Sequence, residues 1–322
     1  MTADLVRDLF LPALGNPVLN RLGDSAMLDV AGLRLAFTTD AFVVNPLQFP
    51  GGDLGSLAVH GTINDLAVAG ARPLALSAAF ILEEGYPLAA LRGLVESMRA
   101  AAHAAEIAVV AADTKVVERG KGDGVYVTTS GIGVVPSDVD LAPARARAGD
   151  AVLVSGPIGD HGIAVLSARE GLAFSTEVTS DSAALHHLVG ALLTSGAAVR
   201  CLRDPTRGGV ATVANELAVA AGVAITLDEP AVPVRPGVRA ACEMLGLDPL
   251  YVACEGRLLA LVAGADTERA LAALRAHPLG TQAAVIGRVD PADGGPPVRL
   301  RTAFGSTRAL GVLAGAQLPR IC

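Results

Sequence analysis

The chain has 322 residues, is 52% hydrophobic and 18% charged, and carries a formal charge of −7 with no Trp. At roughly 100–200 residues per domain that length predicts two packed domains, and so apolar a composition excludes a disordered chain. The acidic balance argues against nucleic acid, whose phosphates call for a basic surface; carboxylates that gather a divalent cation around a nucleotide remain compatible with it.

In chain order, Met1 to Gly15 carries Asp4 and Asp8 where a secretory leader would be basic, so export is not expected. Aromatic residues make up only 3%, so Ala, Val, Leu and Ile must fill the cores. Residues 33–38, 74–82, 107–112 and 124–135 read as strands, and 54–70 and 87–105 as helices. In the second helix Leu88, Leu91, Val95, Met98 and Ala102 form an apolar stripe expected against the sheet. The polar run 143–150 interrupts the pattern and places a domain boundary near Ala148. Beyond it, strands are expected near 151–155, 223–228, 257–263, 282–290 and 297–302, with helices near 161–169, 182–194, 206–221 and 266–275. A helix-like segment at 307–313 precedes a tail whose Pro319 forbids regular structure and which is expected to be mobile. The reading is α/β (α+β), with mixed sheets and helices packed on them: 1–147, 148–313 and a tail 314–322. The most apolar helical region, 208–224, is broken by Asn215 and Glu216, so no membrane span is predicted. The cysteines, Cys201, Cys242, Cys254 and Cys322, form no CxxC pair, and a reducing cytoplasm fits them.

Neither a phosphate-binding GxxxxGK[ST] loop nor a GxGxxG turn is present, and Gly120–Gly124 reads as a tight hairpin. HExxH and GxSxG are also missing, which removes metalloprotease and ordinary serine hydrolase. What remains is a set of carboxylates beside predicted elements: Asp40, Asp65 next to Asn64, and Asp113. Each alone reads equally as a turn former or cap. Asp65 stands out because the stripe Val59, Ile63, Leu66 and Ala67 faces the core, leaving Asn64 and Asp65 on a flank where they could reach a ligand or cation. An oxygen-rich site of this kind suits Mg²⁺ with substrate phosphates.

All but two of the 25 basic residues are Arg, and the lysines, Lys115 and Lys121, fall close together. Lys115 follows Asp113-Thr114; a desolvated ammonium there could act as a base, and a solvated loop lysine is the plainer reading. In 203–218 Asp204 and Thr206 can cap a helix, while Arg207, Gly208 and Gly209 bring a guanidinium and N–H groups to its start; anion site and ordinary cap both fit. In 159–162 Asp160 reads as a cap and His161 as a surface residue. Cys322, last on a Pro-broken tail, reads as a tether for a covalently carried group.

The strings TTDAFVVNP (38–46), FPGGD (49–53), GTINDLAVAGARP (61–73), FILEEG (80–85), DTKVVERG (113–120), RDPTRGG (203–209), ACEGRL (253–258) and the terminal PRIC (319–322) together resemble the hydrogenase-maturation carbamoyl dehydratase HypE family, within the aminoimidazole-ribonucleotide-synthetase-like superfamily. The resemblance implies a two-domain cytoplasmic homodimer joined through its N-terminal domain, binding ATP with Mg²⁺ without a P-loop. It implies an ATP-dependent carbamoyl dehydratase, a carbon–oxygen lyase, in which Cys322 carries a carbamoyl group that is dehydrated to a thiocyanate. The cyano group then goes to the iron of [NiFe] hydrogenase. By the same resemblance Asp40, Asp65 and Asp113 hold the metal, and Asn64, Thr114, Asp204 and Arg207 join them around the nucleotide. Lys115 and Glu255 assist proton removal, and the partners are a HypF-like carbamoyl donor and a HypC/HypD-like iron acceptor. The chain departs from the family pattern at Ala41 and Ala112, and a Gly-rich segment before the first helix, a possible lid, is not seen. A selenophosphate synthetase, aminoimidazole ribonucleotide synthetase or thiamine-monophosphate kinase would share the carboxylates without needing a reactive last residue; a scaffold that holds a partner through its tail is the non-enzyme alternative.

Overall fold

The computed structural model describes residues 5–172, 178–313 and 318–322. The first half builds strands β1 (Ala26–Val30), β2 (Leu33–Phe42), the two-residue pair β3 (Gln48–Phe49) and β4 (Gly52–Asp53), β5 (Arg72–Glu83), β6 (Ala108–Val117) and β7 (Val125–Val134). Five of them form one sheet in the order β1-β2-β7-β5-β6. Only β5 and β6 run parallel, a pairing that requires a crossover. Helix α2 (Leu88–Ala104) supplies it.

Helix α1 (Leu54–Val68) starts with a reciprocal cap. The Asp53 carboxylate accepts the Ser56 N–H at 2.9 Å, and the Ser56 hydroxyl accepts the Asp53 N–H at 3.1 Å. That is the local reason for the FPGGD string. A helix buried on one side would show a single apolar stripe; α1 is instead covered almost all round, with Leu57, Ile63 and Leu66 wholly buried and Thr62 and Asn64 nearly so. It packs on β2, β5 and β7, on α2, and on elements of the second domain. The stripe of α2 is rotated from the expected one: Leu94, Met98, Ala101 and Ala102 are buried, whereas Leu88 is 77% and Val95 46% exposed. The cause is that α2 lies on α1 and only lightly on the sheet.

The second half contributes β8 (Ala151–Val154), β9 (Val199–Arg203), β10 (Val223–Asp228), β11 (Leu259–Val262), β12 (Ala284–Pro291), β13 (Val298–Arg301) and β14 (Thr307–Ala309), with α3 (Asp160–Glu170), α4 (His186–Thr194), α5 (Gly209–Ala221), α6 (Pro236–Leu245) and α7 (Thr267–Ala276). Its sheet runs β14-β13-β10-β12-β8-β11-β9. Alternation along β8 sends Val152 and Val154 into a core with Val210, Ala214 and Leu217 of α5, and Leu153 into another with Leu188 of α4 and Leu271 of α7. Among the described residues no helix is long and apolar enough to cross a membrane. Three local expectations are corrected. Residues 307–309 form a strand on β13, not a helix, because pairing satisfies their backbone. Strand β9, split by two arginines, and helix α6, entered through Pro236, were not foreseen.

Gly55 is where α1 and α2 touch: a Cβ there would lie 2.1 Å from the Leu94 carbonyl oxygen. Gly55→Ala is expected to lower stability by about 2 kcal/mol, read as a reduced urea midpoint with an unchanged denaturant slope.

Candidate functional site

Asp24 precedes β1, Asp65 lies on α1 and Asp204 follows β9, yet one carboxylate oxygen from each falls within 4.8 Å of the others. Asp65 Oδ2 is 2.7 Å from the Thr38 hydroxyl on β2, and Arg203 pairs closely with Asp24. Burial pushes the Asp65 carboxyl well above the usual range, and the Asp204, Asp40 and Glu255 charges push it further. The Asp204 carboxyl is raised to about 6 by burial, against the weaker pull of Arg203. Burial raises Asp40 too, opposed by the Ala41 N–H and by Arg207. Several carboxylates in one poorly hydrated place repel one another unless a cation joins them. An all-oxygen donor set is what Mg²⁺ prefers, so the residues present fit that ion.

Of the two readings open for 203–209, anion site and ordinary cap, the structure removes side-chain capping by Asp204 and Thr206. The N-cap of α5 is Gly208, with no side-chain cap. Gly208 and Gly209 have φ of +77° and +59°, so only glycine makes this turn without strain. Asp204 is thereby free to face the other carboxylates.

Asn64 is fully used by the backbone of the second domain. Its amide donates to the Ala183 and Glu255 carbonyls, each at 3.1 Å, and its oxygen accepts the Leu185 N–H at 2.8 Å. It therefore fixes Glu255 and does not project to a ligand. Glu255 is 2% exposed, and its Oε1 has no hydrogen-bond partner among the described residues. Burial raises its carboxyl well above the usual range, reinforced by Asp204, Asp181 and Asp40 and opposed by Arg207.

Cys322 reaches the neighbourhood of these charges. Its main-chain oxygen accepts the Val43 N–H at 3.0 Å, its side chain packs against the apolar cluster of Phe42 and Val44, and the Glu255, Asp40 and Arg207 charges act on its thiol. Burial, and then Glu255, push the thiol upward, so a thiolate is disfavoured in this position. Residues 318–322 are docked on the body; 314–317 of the tail expected to be mobile lie outside the described residues. His161, expected at the surface, is wholly buried beneath the tail, because α3 begins in the core. Asp160 is the first residue of α3 and equally buried, not its cap.

Asp113, Thr114 and Lys115 lie inside β6, not at a strand end, and β6 is exposed along nearly its whole length. The ladder aligns Asp40 with Thr129, Ala78 and Ala112. Asp113 and Lys115, odd-numbered neighbours, therefore project from the opposite face. Lys115 Nζ pairs with Asp113 at 2.8 Å with both side chains largely exposed. The desolvation that would make Lys115 a base is not supplied by this chain alone. A cleft of about 850 Å³ opens beside the carboxylates, with Asp24, Ser25 and Arg34 on one wall and Arg203 and Glu216 on the other. Asp24, Thr38 and His161 were missed: Asp24 and His161 become neighbours of the site only through tertiary contact, and Thr38 through its facing of α1.

Two domains of mixed sheets meeting at a pocket of carboxylates define a class. The family models for AIR synthase related proteins match this chain, the N-terminal domain at residues 22–135 and the C-terminal domain at 147–296. Carbamoyl dehydratase HypE of Cupriavidus necator is 57% identical over 321 residues, covering 99% of this chain and 91% of that protein. A crystal structure of a HypE–HypF complex matches with a TM-score of 0.91 at 44% identity, over 96% of this chain and 99% of that one. HypE in complex with ATP matches with a TM-score of 0.87 at 47% identity, over 100% and 96%. The chain belongs to the HypE family.

Because the Asp204 carboxyl is raised from 3.8 to about 6, the folded state binds a proton more tightly than the unfolded one. Its contribution is thus full below about pH 4 and lost as pH rises through about 6. Asp204→Asn is expected to raise the stability of the metal-free protein above about pH 6 by on the order of 2–3 kcal/mol, to make little difference near pH 4, and to blunt stabilisation by added Mg²⁺. Urea unfolding across that pH range, with and without Mg²⁺, checks all three.

Proposed function

We propose that this chain is an ATP-dependent carbamoyl dehydratase of hydrogenase maturation, working on a carbamoyl group carried by Cys322. One observation carries the reading: the thiol of the last residue feels the charges of Glu255, Arg207 and Asp40, and Glu255 and Asp40 in turn act on Asp65 of the Asp24, Asp65 and Asp204 cluster. A kinase has no evident use for a thiol placed there.

A primary amide loses water once its oxygen becomes a good leaving group. The carbamoyl oxygen attacks the γ-phosphorus of ATP, and the bond to the bridging oxygen breaks to release ADP. Glu255, a buried carboxylate of raised basicity, takes an N–H proton as the C–O bond breaks and phosphate leaves. Loss of the second N–H proton completes the nitrile. In sum, –S–C(=O)–NH₂ and ATP give –S–C≡N, ADP, phosphate and a proton. Mg²⁺ held by Asp24, Asp65 and Asp204, with Asp40 alongside, would neutralise phosphate charge. Arg207 adds fixed positive charge at the sulfur end of the pocket. Partial burial of Cys322 limits the access of water, which would hydrolyse the phosphorylated amide. The cleft between Asp24 and Glu216 offers room for the rest of the nucleotide.

The neutral thiocarbamate suits this buried position better than a thiolate does. Loading by a HypF-like donor and delivery to a HypC/HypD-like acceptor therefore take place with the tail out of the pocket, in the cytoplasm, where the free cysteines stay reduced. In this scheme 1–147 binds nucleotide and dimerises, 148–313 closes the site, and the end of the chain that carries Cys322 is the moving arm. The homodimer forms through β6, whose Val110 and Val116 are 68% and 65% exposed and whose open edge needs cover. A second copy there is also what would bring Asp113, Thr114 and Lys115 to a nucleotide held by its partner.

Carbamoylated Cys322 is expected to gain an ATP-dependent loss of water, seen by intact mass. Cys322→Ala abolishes thiocyanate formation and leaves ATP affinity within about twofold, under roughly 0.5 kcal/mol. Glu255→Gln slows single-turnover dehydration about 10²- to 10³-fold. An unchanged thiocyanate yield in Cys322→Ala would sink the assignment. Lys115→Ala is expected to block dehydration with ATP affinity changed by less than about tenfold, roughly 1.4 kcal/mol; collapse of nucleotide binding would make Lys115 a phosphate ligand instead of a base.

A further inference from the structure

Every main-chain carbonyl of the last four residues accepts a hydrogen bond from the body of the protein. Pro319 receives Arg169 Nη1 at 2.7 Å; Arg320 receives Arg169 Nη2 at 2.6 Å and the Asn45 N–H at 3.2 Å. Ile321 receives His161 Nε2 at 2.8 Å, and Cys322 receives the Val43 N–H at 3.0 Å. The third nitrogen of the Arg169 group, Nε, donates to the Asn45 carbonyl at 2.8 Å. One guanidinium thus ties the first-domain loop that follows β2 to the tail. The partners also fix the His161 tautomer. Nε2 faces a carbonyl and must carry the proton, so Nδ1 accepts from the Ser180 hydroxyl at 2.8 Å. That hydroxyl oxygen accepts the Ser182 N–H at 3.1 Å.

Side chains set the register. Ile321 is 2% exposed, in the apolar cluster that includes Phe42, Val44, Phe49 and Ala253, and Arg320 pairs closely with Asp123. Carbonyl recognition alone would tolerate a slip along the chain; a filled Ile pocket does not. Cys322 is left as the residue that enters the carboxylate pocket.

We infer that Arg169 and His161 are positioning residues, a latch that reads the tail's backbone and holds Cys322, with the group it carries, against Glu255 and Arg207. This rests on the dehydratase reading for its chemical purpose, but the latch itself is a statement about docking. The hydrogen bonds that favour dehydration oppose loading, since a latched sulfur is shielded from a donor. Arg169 lies outside the pocket, so its loss moves the balance between docked and free tail without removing a reacting group.

Alkylation of Cys322 by iodoacetamide tests the latch independently of the chemistry. The other three cysteines are buried, so intact mass reports one adduct. Arg169→Ala and Ile321→Ala are each expected to speed labelling about tenfold, a shift of roughly 1.4 kcal/mol toward the free tail. Arg169→Lys, which cannot span three acceptors, should behave like Arg169→Ala, while His161→Gln, which keeps a donor, should be milder than His161→Ala. With the carbamoylated protein and saturating ATP, Arg169→Ala should slow dehydration about tenfold while carbamoyl loading is unchanged or faster. A purely structural defect would instead lower the thermal midpoint and slow both steps. Labelling at the wild-type rate in both Arg169→Ala and Ile321→Ala overturns the latch. Faster labelling combined with no thiocyanate from the wild-type protein leaves the latch standing and overturns the dehydratase reading.

Discussion

The structure depends on keeping carboxylates apart from water at the seam between two domains. Asp65 rides on a helix covered almost all round, Asp204 follows a strand of the other domain, and Glu255 is sealed behind Asn64. A lone ionised carboxylate in such a place is costly, and each neighbour adds to the cost. The fold maintains that arrangement through helix α1: its cap, its close approach to α2 at Gly55 and the Asn64 clamp all serve to hold Asp65 in position. A site stabilised only once positive charge arrives is well matched to magnesium and the phosphates of a nucleotide.

The tail follows the opposite logic. Its attachment is through main-chain carbonyls and one apolar side chain, interactions of modest net strength that can be broken and remade. The carboxylate cluster is polar, and the tail beside it is held by contacts of that modest kind. Burial disfavours the free thiolate in the docked position and is compatible with a neutral carried group.

The first-domain sheet ends at β6, a strand uncovered on both faces and along its edge. Asp113 and Lys115 project from the side away from α1, so a single copy holds two of the residues expected at the site far from the others. Within one chain the cluster is completed by Asp24 and Asp204 instead. An exposed edge of this kind is one that proteins commonly cover.

Much of this was legible in the amino-acid sequence. Periodicity located the main strands and helices because apolar spacing follows burial. The terminal Cys with the DTKVV and NDLAV strings pointed to the family. Periodicity failed where burial was not one-sided: it gave α1 a solvent flank that the second domain covers, rotated the stripe of α2, and read 307–313 as a helix although residues 307–309 pair with β13. Capping chemistry at Asp204 was locally plausible and lost to two left-handed glycines. Tertiary structure alone decided that Asp24 joins Asp65 and Asp204, that His161 lies under the tail, and that Asp113 and Asp40 occupy opposite faces. Those are contacts between residues distant in the chain, and sequence spacing carries no information about them until the sheets have formed.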